Sequence, residues 1–396
     1  MNPSDPPSCV VDASSFQYVV GVDIGMESCS FCVCSPEKSL LQQLGVAPDR
    51  ILIGLEATSR YGENLYHFLE GHGYELCLLH PRQTHEFAQR RGLRAKTDKL
   101  DAQTIACVLL SGEARRGYVP SELIASYREL VRLHTQLNDE VARYRNEIHA
   151  ELSVLFPEFT QVFADPSRPT ALALLQLYPS ARAMAAAPVE SLTTKLRELA
   201  PRKYGERTAK LLVALAQHSV SSGRATAARA TSLKILCNQL QQTQKNLALL
   251  EAEIDRVLVG DSGATELGSV PEFGPKTVVV LRAELGDVSR FQRMDQAVAY
   301  AGLDIQVKES GKWKGQAKLS KRGSGRLRRI LYLAALRCTR LEGSAFGAYY
   351  HRLIARGMRK REALMAVMRK MLIVAVHLLK TEEEYDPGKV AVAGAG

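Results

Sequence analysis

The sequence predicts an α/β domain, a long helical middle with coiled-coil seams, and a mainly α C-terminal domain. Short apolar runs alternate with helical patterns between residues 16 and 112, as in α/β domains. Beyond residue 119, apolar residues recur in steps of three and four, which is the spacing of paired helices. Near the C-terminus, a cluster of arginines leads into the apolar run 330–335, which indicates a helix that begins at the surface and then becomes buried.

The first domain has four apolar runs that predict strands and three patterns that predict helices. The strands are expected near residues 17–24, 28–35, 51–56 and 74–79. The helices are expected near residues 62–71, 82–91 and 98–111.

Two heptad seams predict a pair of long helices in the middle of the chain. The first seam is Leu123, Tyr127, Leu130, His134, Leu137, Val141, Tyr144 and Ile148. The second is Leu233, Leu236, Leu240, Thr243, Leu247, Leu250, Ile254 and Val257. Prolines interrupt the segment 156–230 between them, which predicts a helical insertion at the tip.

These patterns divide the chain into five segments. They are a flexible N-terminus at 1–15, the α/β domain at 16–118, the coiled-coil region at 119–260, the C-terminal domain at 261–380 and a flexible tail at 381–396.

Composition excludes a disordered chain and a membrane span. The 396 residues are 46% hydrophobic and only 24% charged, which is enough apolar material for more than one core. No run approaches the roughly 20 apolar residues that a membrane span requires, and the first residues lack the pattern of a secretory signal. We therefore expect a cytoplasmic protein without a membrane partner.

The cysteines favour a reduced interior over a zinc site. Cys29 and Cys32 have the spacing of many zinc ligands, and Cys34 follows them. No second Cys or His pair with matching spacing accompanies them, and the alternation of this segment is typical of a half-buried strand. The other cysteines lie in apolar stretches, as reduced core cysteines do.

The net charge of +10 is concentrated near the C-terminus. Residues 301–380 contain 19 Lys or Arg against four Asp or Glu, a net of +15, which leaves −5 for the rest. Such a field suits a polyanionic partner that is held through its phosphates. The alternative is a solvated basic surface that serves solubility alone.

Four carboxylates lie at positions that simple packing does not favour. Asp23 interrupts the apolar run 18–25, and Glu56 closes the run 51–56. Buried carboxylates need a partner or a cation. Asp98 and Asp101 are three residues apart at the expected start of a helix, so both side chains share one face.

Four such acids match the oxygen ligands that Mg²⁺ prefers, and two Mg²⁺ ions can stabilise the attacking and leaving oxygens of a phosphoryl transfer. Taken alone, Asp98 is better explained as a first-turn helix acid and Asp101 as an exposed acid. The four together favour a metal site, with Mn²⁺ as a possible substitute ion.

Three serines near the C-terminus are candidate nucleophiles. Ser310 lies among lysines in a stretch too rich in glycine to form a regular helix, and a loop can expose a nucleophile. A serine that attacks phosphorus would form a phosphoserine bond that conserves the energy of the cleaved strand. By sequence alone Ser320 and Ser324 are equal candidates.

The basic residues around these serines are candidate contacts to nucleic acid. Trp313 lies between two lysines, which fits either base stacking with phosphate contacts or a core position. The candidates after residue 300 are Lys308, Lys312, Trp313, Lys314, Lys318, Lys321, Arg322, Arg326, Arg328 and Arg329. Arg352, Arg356, Arg359 and Lys360 form a second row.

Residues 269–277 resemble a helix-hairpin-helix turn, in which backbone amides and Lys276 could hold a phosphate. The usual hairpin has a glycine where this chain has Glu272. The added negative charge favours a structural hairpin over a phosphate site.

Several short strings together resemble the DEDD-type transposases of the insertion sequence 110 family. They are Gly21–Gly25, Leu55–Thr58, Lys96–Ala102, Ala301–Leu303 and Glu309–Gly311. The resemblance spans residues 16–112 and 265–380 and implies a RuvC-like, RNase H-like fold for the first domain. It also implies that Asp23, Glu56, Asp98 and Asp101 bind the catalytic metal.

The resemblance selects Ser310 as the nucleophile, because it occupies the family's Ser-Gly position. It further implies a DNA transposase guided by a non-coding bridge RNA from the element, assembled as a homodimer or tetramer. Two alternatives stay open. One is a junction-resolving nuclease in which metal-activated water attacks, and the other is a scaffold that binds nucleic acid without catalysis.

Overall fold

The computed structural model describes residues 11–24, 29–34, 46–57, 61–92, 97–306, 309–310, 313–314 and 318–388. The chain forms two compact units. The first unit comprises Met1–Ile124, Ser269–Glu272 and Glu284–Gly396, and the second comprises Ala125–Gly268 and Phe273–Ala283.

The N-terminal part of the first unit is an α/β domain. Its strands are β1 (Tyr18–Ile24), β2 (Cys29–Cys34), β3 (Ile51–Glu56) and β4 (Glu75–Leu79), and its helices are α1 (Tyr61–Gly71), α2 (Pro81–Arg90) and α3 (Asp98–Leu110). The sheet has the order β2-β1-β3-β4, in which β2 is antiparallel to β1 and the other neighbours are parallel. The predicted elements of this domain are confirmed to within one residue at each end.

The two faces of this sheet bury alternate residues, as the period of two in a strand requires. Val19 and Leu52 pack with Ile105 and Leu109 of α3. Their neighbours Val20, Val22, Ile53 and Leu55 form a separate core on the opposite face, where Leu65 and Leu69 of α1 pack against it. The sheet is therefore covered by α3 on one face and by α1 on the other.

The second unit is helical. Its long helices are α4 (Glu122–Leu155) and α10 (Thr226–Leu258), and between them lie α5 (Phe159–Val162), α6 (Pro169–Leu177), α7 (Ala181–Ala185), α8 (Val189–Leu199) and α9 (Glu206–Gln217). The short helices share one apolar core with the ends of the long helices, where Phe156, Phe159 and Leu172 are fully buried. The helical character predicted for residues 156–230 is thus present.

Helices α4 and α10 run antiparallel along most of their length. The Tyr127 hydroxyl lies 3.2 Å from the Val257 carbonyl oxygen. His134 Nε2 lies 3.5 Å from Glu251 Oε1, and Arg229 Nη1 lies 3.1 Å from Glu151 Oε2. Most of the predicted seam residues are buried or half-buried, but Leu123 is 38% exposed, so the first seam begins one turn later than predicted. Knobs-into-holes packing of a coiled coil stays a prediction.

The C-terminal part of the chain is mainly helical. Its helices are α11 (Ser262–Gly268), α12 (Pro275–Leu285), α13 (Met294–Tyr300), α14 (Gly325–Cys338), α15 (Ala345–Ala355) and α16 (Lys360–Thr381). Two short antiparallel pairs lie between α13 and α14. They are β5 (Ile305–Gln306) with β8 (Lys318–Leu319), and β6 (Glu309–Ser310) with β7 (Trp313–Lys314).

Residues near both chain ends make contacts in the first unit. Val11 is 6% exposed, and its amide donates to the Ala114 carbonyl oxygen. The Tyr385 ring stacks on Phe346 with centroids 6.0 Å apart, and the Tyr385 amide donates to Ser269 Oγ at 2.8 Å. Among the described residues, no helix is long and apolar enough to cross a bilayer.

The prediction of reduced core cysteines is confirmed for three of the four cysteines whose side chains are described, and the fourth, Cys107, is free and half-buried. Cys77, Cys237 and Cys338 are buried and free, and burial raises the pKa of the Cys77 thiol to about 11. Cys29, Cys32 and Cys34 lie in β2, and their side chains fall outside the described part of the chain.

Candidate carboxylate site

Strands β1 and β3 bring Asp23 and Glu56 to the same edge and the same face of the sheet. The strands are parallel, and Val22 pairs with Leu55, so the residues that follow, Asp23 and Glu56, are neighbours across the strands. Alternation along each strand places these two acids on the face that α3 covers. Both side chains are half-buried.

A pair of glycines lets α3 lie directly on the sheet beside these acids. Gly21 and Gly54 are partners in the register of β1 and β3. A Cβ atom at Gly21 would clash with the Ala102 carbonyl oxygen and would lie 2.6 Å from the Ala106 nitrogen. Only a residue without a side chain allows the helix backbone to approach this closely.

The N-terminus of α3 supplies the other two acids. Thr97 caps the helix, because its hydroxyl accepts from the Leu100 amide at 3.3 Å. Asp98 and Asp101 occupy the first turn, where the partial positive charge of a helix N-terminus stabilises carboxylates. Asp98 is exposed and Asp101 is half-buried.

The four acids are coupled electrostatically at Asp23. Burial raises the pKa of the Asp23 carboxyl, and the charges of Asp101, Asp98 and Glu56 raise it further, in that order. The opposing contribution comes from a hydrogen bond with the Ile24 backbone. Asp23 is therefore a carboxylate that is held among other carboxylates, and its ionised form is stabilised by no cationic side chain in the described part of the domain.

Thr84 positions Glu56, a role that the sequence analysis missed. Its hydroxyl lies 2.6 Å from Glu56 Oε2 and 2.8 Å from the Pro81 carbonyl oxygen, and its side chain is 7% exposed. The single hydroxyl proton can be donated to the carboxylate, which then has a fixed orientation. A threonine in the first turn of a helix carries no signal in the sequence that distinguishes this role.

The donor chemistry of the four acids fits a divalent cation. All their ligand atoms are oxygens, which Mg²⁺ and Mn²⁺ accept, and a cation would relieve the repulsion that raises the pKa of Asp23. Within the described residues, no three acidic, His or Cys side chains are close enough together to hold an ion as they stand. The exposed Asp98 can change its side-chain rotamer without disturbing the core.

Ser310 lies in a short hairpin. It pairs with Trp313, and Glu309 pairs with Lys314. This local structure agrees with the expectation that the glycine-rich stretch forms no regular helix. The side chains of Ser310, Trp313, Lys314 and Lys318 lie outside the described part of the chain, as do residues Lys308 and Lys312 altogether.

The two rival serines have structural partners. The Ser320 hydroxyl donates to Asp304 Oδ1 at the base of the segment that carries Ser310. The Ser324 hydroxyl donates to Glu284 Oε2 at 2.6 Å and accepts from the Leu327 amide at 3.1 Å, which caps α14. Ser324 therefore has a structural role as a helix cap, and Ser320 has one in closing the loop.

The basic residues predicted to contact nucleic acid differ in how exposed they are and in whether they already have partners within the protein. Lys321 and Arg322 are exposed. Arg326 lies 3.7 Å from Glu284, and Arg328 Nη1 donates to the Ala301 and Gly323 carbonyl oxygens at 3.0 and 2.8 Å. The fifth described candidate after residue 320, Arg329, is exposed and also takes part in an interaction.

The hairpin at residues 269–274 has the features of a structural turn. Glu272 is only 2% exposed, and the Ser344 hydroxyl donates to its Oε1. In the second unit, Lys276 forms an ion pair with Glu251. Both observations favour the structural interpretation, and a phosphate contact by Lys276 stays a prediction.

The α/β domain and the segment after Glu284 belong to one compact unit of a single chain. The Tyr118 hydroxyl accepts from the Asp287 amide at 3.0 Å, and the Arg290 guanidinium lies 4.5 Å from the centre of the Tyr118 ring. A hydrogen bond from Arg82 lowers the pKa of Glu86, and the charge of Arg322 adds to this effect. The same chain thus carries both the acids and Ser310 in one unit.

Comparisons with known proteins agree with the resemblance found in the sequence. Residues 20–157 match a family model described as transposase, the DEDD transposase domain of IS110 elements. Residues 264–351 match the model of the transposase IS116/IS110/IS902 family. The first match contains all four acids, and the second contains Ser310.

Individual relatives carry the names of mobile elements and of a gene-inverting protein. The chain is 27% identical to the IS110 uncharacterized 43.6 kDa protein of Streptomyces coelicolor over 74% of this chain and 72% of the relative. It is 24% identical to the IS116 uncharacterized 44.8 kDa protein of Streptomyces clavuligerus over 93% of each. A pilin gene-inverting protein of Moraxella bovis is 28% identical over 31% of this chain and 38% of its own length.

Proposed function

This chain belongs to the IS110 family of transposases, and we propose that it cuts and rejoins DNA strands with Ser310 as nucleophile. The observation that carries the metal part of this proposal is that Asp23 and Glu56 are neighbours at one strand end beside the acids of α3, where burial first and then the charges of the other three acids raise the pKa of Asp23. Perturbed carboxylates of this kind are typical of functional sites. The relatives named as insertion-element and gene-inverting proteins support DNA recombination as the overall reaction.

Asp23, Glu56, Asp98 and Asp101 would hold Mg²⁺, or Mn²⁺ in its place. The bound ion would neutralise charge on the scissile phosphate and on the leaving oxygen. The chain contributes two acids on neighbouring strands, β1 and β3, and two on the first turn of α3, of which Asp98 is exposed and Asp101 is half-buried. Burial and, after it, the charges of the neighbouring acids raise the pKa of Asp23, and a cation at this place would favour the ionised form that both disfavour.

In the proposed step, the Ser310 hydroxyl loses its proton and its oxygen forms a bond to phosphorus. The bond between phosphorus and the leaving deoxyribose oxygen breaks, and that oxygen takes up a proton. The phosphoserine bond conserves the energy of the cleaved bond, so a second strand end can reverse the step without ATP. Ser320 and Ser324 have hydrogen-bond partners that give them structural roles, and Ser310 is chosen because it occupies the family's Ser-Gly position.

We further propose that a structured non-coding RNA from the element selects the DNA, and that a homodimer or tetramer carries out the exchange. Both follow from the family resemblance. The C-terminal surplus of cations supports a nucleic-acid partner of either kind, because phosphates of DNA and RNA carry the same charge.

The serine mechanism is tested with Ser310→Ala and a DNA substrate that carries the element end. Wild-type protein should form a covalent protein–DNA adduct that survives denaturing electrophoresis, and the variant should form none. Ser320→Ala is the matched control, because its hydroxyl already bonds Asp304, and it should retain the adduct. Undiminished strand cleavage by Ser310→Ala would instead identify a nuclease that uses water.

The metal proposal is tested with Asp23→Asn and with a chelator. Loss of the interaction with a catalytic ion removes several kcal/mol of transition-state stabilisation, so we expect at least a roughly thousandfold loss of strand transfer. Nucleic-acid binding should persist. Equal strand transfer by Asp23→Asn, or activity that survives EDTA, would refute the metal role, and a wild-type chain without any strand transfer would be a scaffold.

A further inference from the structure

A strongly basic surface lies on α15 and α16, outside the segment that carries Ser310. From Arg352 to Lys370 the chain has seven Lys or Arg and one acidic residue, Glu362, a net of +6. Within the described residues, none of the seven cations forms an ion pair with a carboxylate. They are Arg352, Arg356, Arg359, Lys360, Arg361, Arg369 and Lys370.

Exposed cations of the helical unit are arranged differently. Lys195 lies 2.9 Å from Glu198, and Lys210 lies 2.7 Å from Glu206, so each cation has a carboxylate three or four residues away on its own helix. Surfaces kept for solubility usually mix the two signs in this way. The absence of such pairs on α15 and α16 therefore needs another explanation.

Two of the cations are brought together around one tyrosine. The Arg352 guanidinium lies 5.6 Å from the centre of the Tyr349 ring, and the Lys370 ammonium lies 5.7 Å from the same centre. Arg352 follows Tyr349 by one turn of α15, whereas Lys370 comes from α16. The arrangement is thus fixed by the packing of two helices and not by a single flexible loop.

This arrangement holds like charges close to each other. Partial burial lowers the pKa of the Lys370 ammonium, and the nearby charge of Arg352 lowers it further. The Tyr349 ring attracts each cation only weakly at these distances. A bound anion would stabilise both cations at once.

We propose that Arg352 and Lys370, held on either helix beside Tyr349, form a clamp for a phosphodiester group of nucleic acid. The cation pair, the shared ring and the missing carboxylates together point to a phosphate ligand, which both cations can contact as hydrogen-bond donors. The choice of nucleic acid as the source of the phosphate rests on the proposed function. The clamp adds a binding site outside the carboxylate and serine regions.

The salt dependence of binding tests the clamp quantitatively. Each phosphate that is neutralised contributes about 0.9 to the slope of log K against log salt for duplex DNA, so Arg352→Gln/Lys370→Gln, which removes the contact with one phosphate, should reduce the slope by about 0.9. Between about 50 and 200 mM salt, the affinity of the variant should fall about 3.5-fold less than that of wild type. Fluorescence anisotropy in a chelator measures this without strand cleavage.

The matched control is Lys195→Gln/Lys210→Gln, which removes the same charge from ion-paired positions. It should leave the slope unchanged. Arg352→Lys/Lys370→Arg keeps both cations and should restore the slope, which excludes misfolding as the cause.

Parallel titrations with duplex DNA and with a hairpin RNA identify the source of the phosphate. A reduced slope with either nucleic acid supports the clamp and names its ligand. Unchanged slopes with both, or an equal change in the control, would overturn it. The test is independent of catalysis, since failure of the Ser310 experiment would leave this slope as it is.

Discussion

Two carboxylates in different regions of the molecule have opposite environments. Asp261, between α10 and α11, is 7% exposed, and its oxygens accept from Arg282 at 2.7 and 2.8 Å and from the Tyr127 hydroxyl at 2.9 Å. Asp23, at the end of β1, is surrounded by the charges of Asp101, Asp98 and Glu56. The protein thus stabilises the ionised form of Asp261 and disfavours the ionised form of Asp23.

The difference separates an acid whose partners stabilise the fold from an acid that we propose binds a catalytic cation. Removing a carboxylate from water is unfavourable unless cations and donors replace the water. Asp261 has these partners within its own unit, so it stabilises the fold. Asp23 has a hydrogen bond with the Ile24 backbone but no cationic partner among the described side chains, and under the proposed function a bound cation would stabilise its ionised form.

The largest effect that this comparison predicts is on stability, at Asp261. Asp261→Asn leaves Arg282, which is 15% exposed, without its charged partner, so the free energy of unfolding should fall by about 3 kcal/mol. Denaturant unfolding followed by circular dichroism measures the change. Asp255→Asn, at an exposed position of α10, should change stability by less than about 0.5 kcal/mol. Equal results for the two variants would contradict a structural role of Asp261.

The next largest effect is expected at Gly21, the glycine that allows α3 to pack closely on the sheet. Gly21→Ala places a Cβ against backbone atoms of Ala102 and Ala106, which cannot rotate away, so α3 must shift. Overpacking of this kind destabilises by about 1 to 3 kcal/mol. Strand transfer per folded molecule should also fall, because the shift moves Asp98 and Asp101 relative to Asp23.

Gly71→Ala is the matched control for this glycine. A Cβ at Gly71, at the end of α1, would meet nothing within 4 Å. It should leave activity unchanged and stabilise slightly, by about 0.5 kcal/mol, because alanine restricts the unfolded chain. If Gly21→Ala behaved like this control, α3 would not depend on the glycine pair for its position.

The sequence predicted those features that depend on local pattern. The strand bounds follow from alternation, and the acids were found because Asp23 and Glu56 interrupt or end apolar runs. The close packing of α3 on the sheet was not predicted, because it depends on Gly21 and Gly54 becoming neighbours on adjacent strands. A pattern along one strand carries no information about what packs above it.

Side-chain roles that depend on partners distant in sequence were also missed. The link between Thr84 and Glu56 spans 28 residues, and that between Ser324 and Glu284 spans 40. The exposure of Leu123 has a similar origin, because a heptad repeat predicts a seam but not the residue at which the partner helix ends. Such features become visible only once the chain is folded.

A smaller effect is expected where Thr84 orients Glu56. Thr84→Val removes the hydroxyl donor, which should reduce strand transfer about tenfold, or about 1.4 kcal/mol, and raise the Mg²⁺ concentration for half-maximal activity. Thr104→Val is the matched control. Thr104 is also 7% exposed, but its hydroxyl donates to the Leu100 carbonyl oxygen and not to an acid. An unchanged metal requirement in Thr84→Val would show that the hydroxyl does not position Glu56.

The smallest predicted effect is on the stability of Asp23→Asn, which should rise where that of Asp261→Asn falls. The pKa of Asp23 is raised by folding, so its ionised form destabilises the folded chain. Below the unfolded pKa of about 3.9 the carboxyl is protonated in both states, and wild type and Asp23→Asn should be equally stable. As pH rises through the folded pKa, wild type loses stability that the variant keeps.

At pH 7 in a chelator, Asp23→Asn should therefore be more stable than wild type, by less than about 1 kcal/mol because the half-buried site is screened by water. Mg²⁺ should stabilise wild type more than the variant, since the ion binds only the intact set of acids. Asp165→Asn supplies the contrast. A hydrogen bond from Ser167 lowers the pKa of Asp165, so this substitution should destabilise at neutral pH and lose its effect in acid. If Asp23→Asn also lost stability at neutral pH, the ionised Asp23 would stabilise the fold as Asp261 does, and the contrast between the two acids would be wrong.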